Sequence, residues 1–493
     1  MGNTILGANG NQGEYEIENS AVFGDTGSFL TRSQSDNESD ADRRKFTISG
    51  WYKQTGGGSA SGWNGFWSAM VDSNNYTSLK KNNNGDAQLI FELKLSGTGK
   101  TFTLTQKIRD FTAWYNIVVA FDSTDGTAAD RLKVYVNGEQ AAGTFSADIT
   151  QNDSAHWGDD ASAARLGAYN NNTGDSYMHN GYMADVCMTV GYALGPDAFG
   201  KTNDNGIWVP KKPQVTYSAN GFLCEFKQTG SSANSSGIGA DTSGNDNHFT
   251  IDQDGNAFLE GGKIDTPTNN FPTFNREWRS RFDNDGDWLK GNLRRRFTSE
   301  NANRGYGVST IGVSAGKWYW ECKIYQVARA STGVFDANAV ADFNQVFYDE
   351  SSSKGFQVGT SGVINENNTS TNYANSLSDN DIIMWALDMD NHRAWYGING
   401  TWQDSGDPTS GSTGTGDVTT QISDQTAINT GEFMFPFVAD VSTSGKADFE
   451  INFGSPIYTI SSGNSDANGY GNFEYAVPSG FYAICTKNIA EYG

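Results

Sequence analysis

Three carboxylates stand at alternate positions around a glycine in DNDGDW, at Asp283, Asp285 and Asp287. Hard oxygen donors so closely spaced on a turn suit calcium. The EF-hand pattern is not met, because Arg294 stands where the closing carboxylate belongs. DQDGNAFLE, Asp252 to Glu260, repeats the idea and fails the same way at Lys263. Calcium is therefore the expected ion if the chain holds one, with Asp283, Asp285 and Asp287 as its ligands. The competing reading is an acidic solvated turn, since Asp, Asn and Gly also dominate turns for backbone reasons.

A second acidic stretch is LDMDNHRAWYGINGTW, Leu387 to Trp402. Its carboxylates, histidine and arginine beside tryptophans and a tyrosine could serve a metal, an acid/base pair or a sugar platform. Sugar binding uses exposed aromatic faces beside polar donors and acceptors. Four aromatics in polar surroundings are candidates for it: Trp157, Tyr169, Tyr177 and Trp402. Each could equally roof the edge of a core. Glycoside hydrolysis on a strand would ask for paired carboxylates, and an E-x-D-x-x-E run is absent. The four histidines, His156, His179, His248 and His392, show no metal-ligand spacing. No G-x-S-x-G elbow or phosphate loop occurs. The chain is not expected to be an enzyme, and no catalytic residue is assigned.

The bulk numbers narrow the partners. A net charge of -23 repels phosphate backbones and anionic lipid, so neither nucleic acid nor membrane insertion is expected. The start, MGNTILGANG, has neither the basic nor the apolar region of a secretory signal. Cys187, Cys224, Cys322 and Cys485 lie far apart in apolar runs and read as buried free thiols.

These residues must be held by strands. Many glycines, few prolines and abundant aromatics point to an all-β chain rich in tight turns. In IIMWALDMDNHRAWYGINGTW the alternation gives a strand, an acidic turn, a return strand and an Asn399-Gly400 turn. YNIVVAFDSTDGTAADRLKVYVNGEQ, Tyr115 to Gln140, writes the same order and ends on Asn137-Gly138. One supersecondary pattern in two places predicts two antiparallel β-sandwiches. It also makes Asp388 and Asp390 turn and strand-end residues rather than catalytic ones.

Family resemblances add to this. FTISGWYKQ, WYNIVVAFD, LKVYVNGE, ARLGAYN and NGYMADVCM, in that order, resemble a laminin-G-like domain of the concanavalin A-like lectin/glucanase superfamily, which implies a jelly-roll. GKWYWECKI, GFQVGTSG, the 381–402 hairpin and FPFVADVSTSGKADFEINFG resemble a SPRY domain, a twisted sandwich that presents loops to partners. The expected organisation is an attachment arm at 1–20, a laminin-G-like jelly-roll at 21–205, a bridging segment and connector at 206–275, and a SPRY-like sandwich at 276–493. Together with DTSGNDNHFTI and the DTPTNNF connector, the combination is similar to virion proteins of tailed bacteriophages. That resemblance implies a virion surface protein, assembled in the host cytoplasm. It would act as a tail fibre or appendage in host-glycan recognition, with other virion proteins as partners and a homotrimer as the first expectation. Alternatives are a capsid-surface decoration protein making only protein contacts, and a carbohydrate-active enzyme.

Overall fold

The structure is a computed structural model. It describes residues 15–24, 27–34, 38–56, 62–82, 87–169, 178–253, 258–278, 286–298, 305–328, 330–336, 355–366, 369–421, 428, 433–440 and 446–493. The chain is all-β, with antiparallel sheets in both of its compact units, which divide between Asn270 and Phe271. Among the described residues no helix is long and apolar enough to cross a membrane.

The first unit packs two sheets face to face. One runs Glu139–Gln140, Leu132–Val136, Trp114–Asp122, Lys45–Gln54, Gly181–Val190, Ser20–Gly24, Phe258–Lys263, with Phe222–Cys224 also paired to Gly181–Val190. The other runs Gly143–Phe145, Thr98–Lys107, Gln88–Leu95, Asn75–Asn82, Trp63–Asp72, Ala163–Leu166, Ser28–Ser33, Thr250–Gln253. Alternation explains the layering, because successive side chains point to opposite faces. Phe46, Phe121, Trp67, Phe91, Leu79 and Leu166 point inward and form one core.

Strands from 206–275 belong to this unit. Phe222–Cys224, Thr250–Gln253 and Phe258–Lys263 are hydrogen-bonded into its two sheets, so the stretch adds strands to this sandwich as far as Asn270, while 271–275 belong to the second unit, where the Phe274 and Asn275 backbone N–H groups donate to Asn292 and Val308. The connector at 265–275 is largely buried, which its two prolines did not reveal. Asp265 forms an ion pair at 2.8 Å with Lys53, whose side chain is fully buried, and Asn270 accepts a second hydrogen bond from the same ammonium at 2.6 Å. A buried ammonium needs such partners, because an unpaired one costs several kcal/mol. Of the attachment arm expected at 1–20, only the last residues are described. Residues 1–14 lie outside the described residues, but Ile17 is buried and its carbonyl accepts from Thr268 at 2.9 Å.

The second unit is built on a sheet of Gly286–Leu289, Arg294–Phe297, Ala447–Asn452, Lys317–Val327, Ile382–Asp388, Arg393–Ile398 and Thr401–Trp402, with Tyr482–Ala483 added in parallel to Lys317–Val327. A second sheet runs Gly305–Val308, Met434–Asp440, Ala330–Asp336, Gly355–Gly359, Val363–Glu366, Thr369–Asn372. Trp385 and Trp320 stack between them at 6.0 Å, and the Trp385 indole donates to Thr332 across the core at 3.0 Å.

The doubled hairpin is present in both units down to single bonds. Asn137 and Asn399 take φ of 49° and 48°, and each following glycine is also left-handed. The Asn137 amide oxygen accepts from the Asn116 backbone at 2.8 Å, and that of Asn399 accepts from Ile382 at 2.9 Å. All four cysteines are free and buried.

Candidate functional site

The acidic tip of the 382–402 hairpin is engaged internally. Asp388 is fully buried, pairs with Lys317 at 3.0 Å and accepts from the Asn391 backbone and side chain at 2.9 and 2.8 Å. Asp390 accepts from the Gly316 backbone at 2.8 Å. Arg393 pairs with Asp417 at 3.0 Å. Trp402 is half-buried and meets Tyr319 edge to face. The turn holds itself together, with Asp388 and Asp390 both accepting hydrogen bonds from within the unit.

Of the calcium residues, Asp283 and Asp285 lie outside the described residues. Asp287 sits on Gly286–Leu289 and pairs with Arg296 on the adjacent strand, whose Nε donates at 3.0 Å. Among the described residues no group of three or more His, Cys, Asp or Glu could hold a metal.

The sugar-binding aromatics divide. Trp157 is 0% exposed and packs on Trp67 and Phe222, so its ring offers no face for stacking; this expectation is corrected. Gln34 explains the burial. Its amide donates to the His156 carbonyl at 2.9 Å and accepts from Gly158 at 2.8 Å, folding the loop inward around the indole. Tyr177 lies outside the described residues. Tyr169 is half-buried and carries the Lys80 ammonium 4.1 Å from its ring centroid.

Tyr169 leads to a face that the sequence reading missed. On the first unit's second sheet, Thr250, Thr31, Arg165, Ser68, Ser78, Glu92 and Thr101 stand directly opposite one another from strand to strand. Their neighbours in sequence, Leu30, Leu166, Trp67, Leu79, Phe91 and Phe102, fill the core. The row is thus the sheet's outer face, and seven strands at about 4.8 Å each carry it across roughly 29 Å. Ser68 and Ser78 form its fully buried floor, and the other five residues are half-buried. Lys80 flanks the row. It pairs with Glu92 at 2.7 Å and lies 4.7 Å from the centre of the Trp63 ring. Tyr76 packs on Tyr169 at 6.3 Å. Burial, and then the Glu92 carboxylate, push the Tyr76 phenol well above its ordinary range. Burial also pulls the Arg165 guanidinium down.

This face has unmet hydrogen-bonding capacity. The hydroxyls of Ser68 and Ser78 and the Nε and Nη1 of Arg165 are buried without a hydrogen-bond partner among the described residues. Native structures leave few such groups unpaired, and each calls for a water, an ion or a ligand. The signal was legible. In NYTSLK and FELKL the alternation that sends Leu79, Phe91 and Leu93 inward must send Ser78, Lys80 and Glu92 outward.

Residues 25–191 match the family model Laminin_G_3, described as concanavalin A-like lectin/glucanases superfamily. The first unit carries a laminin-G-like domain. The whole polar row except Thr250 falls within the matched span of that domain. No curated protein matches the chain in sequence. Among solved structures, the SPRY domain of human HERC1 is 17% identical, covering 38% of this chain and 99% of its own, with a TM-score of 0.26. The heptameric SAP-like pentraxin from Limulus polyphemus is 16% identical, covering 36% and 79%, with a TM-score of 0.26. Domain 4 of the extracellular arabinanase AbnA from Geobacillus stearothermophilus, in complex with arabinotriose, is 16% identical, covering 31% and 64%, with a TM-score of 0.22.

Proposed function

We propose that the chain is a non-enzymatic carbohydrate-recognition protein whose ligand lies along the outer polar row of the laminin-G-like domain. The observation that carries this reading is the set of partnerless donors on Ser68, Ser78 and Arg165, set beside Trp63, Tyr76 and Tyr169. A glycan offers many hydroxyls to such donors, and its C–H faces pack on aromatic rings. A binding role is favoured over hydrolysis because Glu92 is the single carboxylate of the row and is held by Lys80. Hydrolysis ordinarily uses two.

The setting we propose is the surface of a bacteriophage virion, as a tail fibre or similar appendage that meets the host. Its support is the resemblance of the ordered sequence motifs, from the laminin-G-like strands through DTPTNNF to the SPRY-like end. The homotrimer belongs to the same reading and is checked by light scattering. A panel of host-surface polysaccharides tests the ligand. We expect saturable binding to at least one member and a loss of at least tenfold in Arg165→Ala at unchanged melting temperature. Binding that Arg165→Ala leaves intact would place the ligand elsewhere. Labelled antibody on intact particles separates a distal appendage from a shell decoration.

A further inference from the structure

A cavity lies on the other sheet of the first unit, away from the core. It measures about 210 Å³ and is lined by the segment Tyr15–Asn19, by Asp185, and by Lys212, Glu225 and Lys227. Asp185 sits at the register shift between Ala184 and Cys187 in Gly181–Val190, with φ at 44°. A non-glycine residue is seldom held in the left-handed region, and such a bulge re-aims its side chain. Here the side chain is 6% exposed and lines the cavity. Its Oδ2 accepts from the Tyr15 hydroxyl at 2.7 Å. Its Oδ1 has no hydrogen-bond partner, and Asp185 has no ion-pair partner, among the described residues. Lys227, whose charge acts on this carboxyl, is itself paired with Glu225 at 3.1 Å. A buried carboxylate is costly unless a positive charge and donors compensate it. This one is compensated by one phenol and by the charge of Lys227, which Glu225 shares.

We propose that the Asp185 cavity binds a small primary ammonium compound, whose N–H donors reach Oδ1 and whose charge adds to the partial compensation that Lys227 gives. Glu16 and Glu18 add negative charge at its mouth, while Lys212 and Lys227 stand on the opposite side of the balance. The cavity is large enough for a ligand of several heavy atoms, and the partly exposed lysines leave the mouth polar. This site is independent of the polar row.

Binding couples to protons. Burial raises the Asp185 carboxyl to about 7, with Glu225 pushing the same way and Tyr15 and Lys227 opposing. The other groups facing it are Glu16, Glu18, Lys212, Cys187 and Tyr217. The ammonium needs the ionised form. Between pH 6 and pH 8 that form goes from a minor to a major fraction, so affinity should rise about tenfold.

The test is calorimetric titration of the full chain with n-butylammonium at pH 8 and pH 6, with n-butanol and tetramethylammonium as probes lacking charge or N–H donors. Expected are saturable binding of n-butylammonium alone, weakening about tenfold at pH 6, and loss of binding in Asp185→Asn. The wild-type pair of pH values decides the matter even if the variant folds poorly. No saturable binding at pH 8, equal binding of n-butanol, no change between the two pH values, or full binding by a folded Asp185→Asn each overturns the proposal.

Discussion

Among the described residues each unit buries one carboxylate that its surroundings push above the usual range, and the two are treated in opposite ways. Glu321 in the second unit accepts from the Tyr319 and Tyr458 hydroxyls at 2.9 and 3.1 Å and from the Glu474 and Tyr475 backbones at 3.0 and 2.8 Å. Burial raises it, yet those donors leave it satisfied. Asp185 in the first unit has one donor and a cavity. The same contrast separates the acidic hairpin of the second unit, where every described carboxylate is engaged, from the polar row of the first, where hydroxyls are not. A satisfied network fastens loops to sheets. An unsatisfied one just beneath a half-buried row is where a ligand that parts the covering side chains can add binding energy, because the desolvation cost has already been met in folding.

That contrast can be broken. Glu321→Ala should destabilise the second unit by about 3–5 kcal/mol, since it strands two phenols and two backbone N–H groups in the interior. Trp385→Ala should cost a similar ~3–5 kcal/mol as a core truncation. Chemical denaturation of each variant measures both, and a loss below about 1 kcal/mol at Glu321 would mean that its network is not structural.

Asp185→Asn should do the reverse at alkaline pH. The native carboxyl titrates near 7, above an unfolded value near 4. Between those values the folded state keeps a proton that the unfolded state has lost, so this group makes stability fall as pH rises towards 7. The amide cannot ionise, so the variant should exceed the wild type by roughly 1–3 kcal/mol at pH 8 and match it near pH 4. Melting curves at the two pH values check the sign; a variant less stable at pH 8 would show that Asp185 is held as a favourable anion.

Smaller effects sharpen the distinction within the hairpin and the row. Asp390→Ala loses one hydrogen bond to Gly316, so about 1 kcal/mol is expected, well below Trp385→Ala. A reversed order would return a functional reading to the hairpin. Ser78→Ala removes a buried hydroxyl that has no partner, so stability should stay within about 0.5 kcal/mol or rise. Glycan binding should nonetheless weaken several-fold, a split that a purely structural serine would not produce.

Much of the architecture could be read from residue order. Period-two alternation identified the inward residues of Trp114–Asp122 and Ile382–Asp388, and Asn-Gly identified both turns, because the left-handed conformations there are a local property of those two residue types. The bland reading of Asp388 and Asp390 followed from their place at a strand end. Trp157 was misjudged because its polar neighbours in sequence say nothing about Gln34, which is 123 positions away and turns the loop inward. The connector 265–275 reads as spacer in the sequence because its partners lie far upstream: Lys53 and Trp114 hold Asp265, and Lys53 and Thr112 hold Asn270.

What the sequence determined alone is the alternation of faces, the turns and the charge, since each depends on a residue and its near neighbours. The candidate sites were decided by the tertiary structure. The polar row exists only when six hydrogen-bonded pairings bring Thr250, Thr31, Arg165, Ser68, Ser78, Glu92 and Thr101 into line. The unmet valence of Asp185 exists only because Tyr15–Asn19 folds over a bulge 170 residues away in the chain. Whether a polar group is satisfied depends on everything packed around it, and strand pairing brings together groups whose separation along the chain carries no signal of that contact.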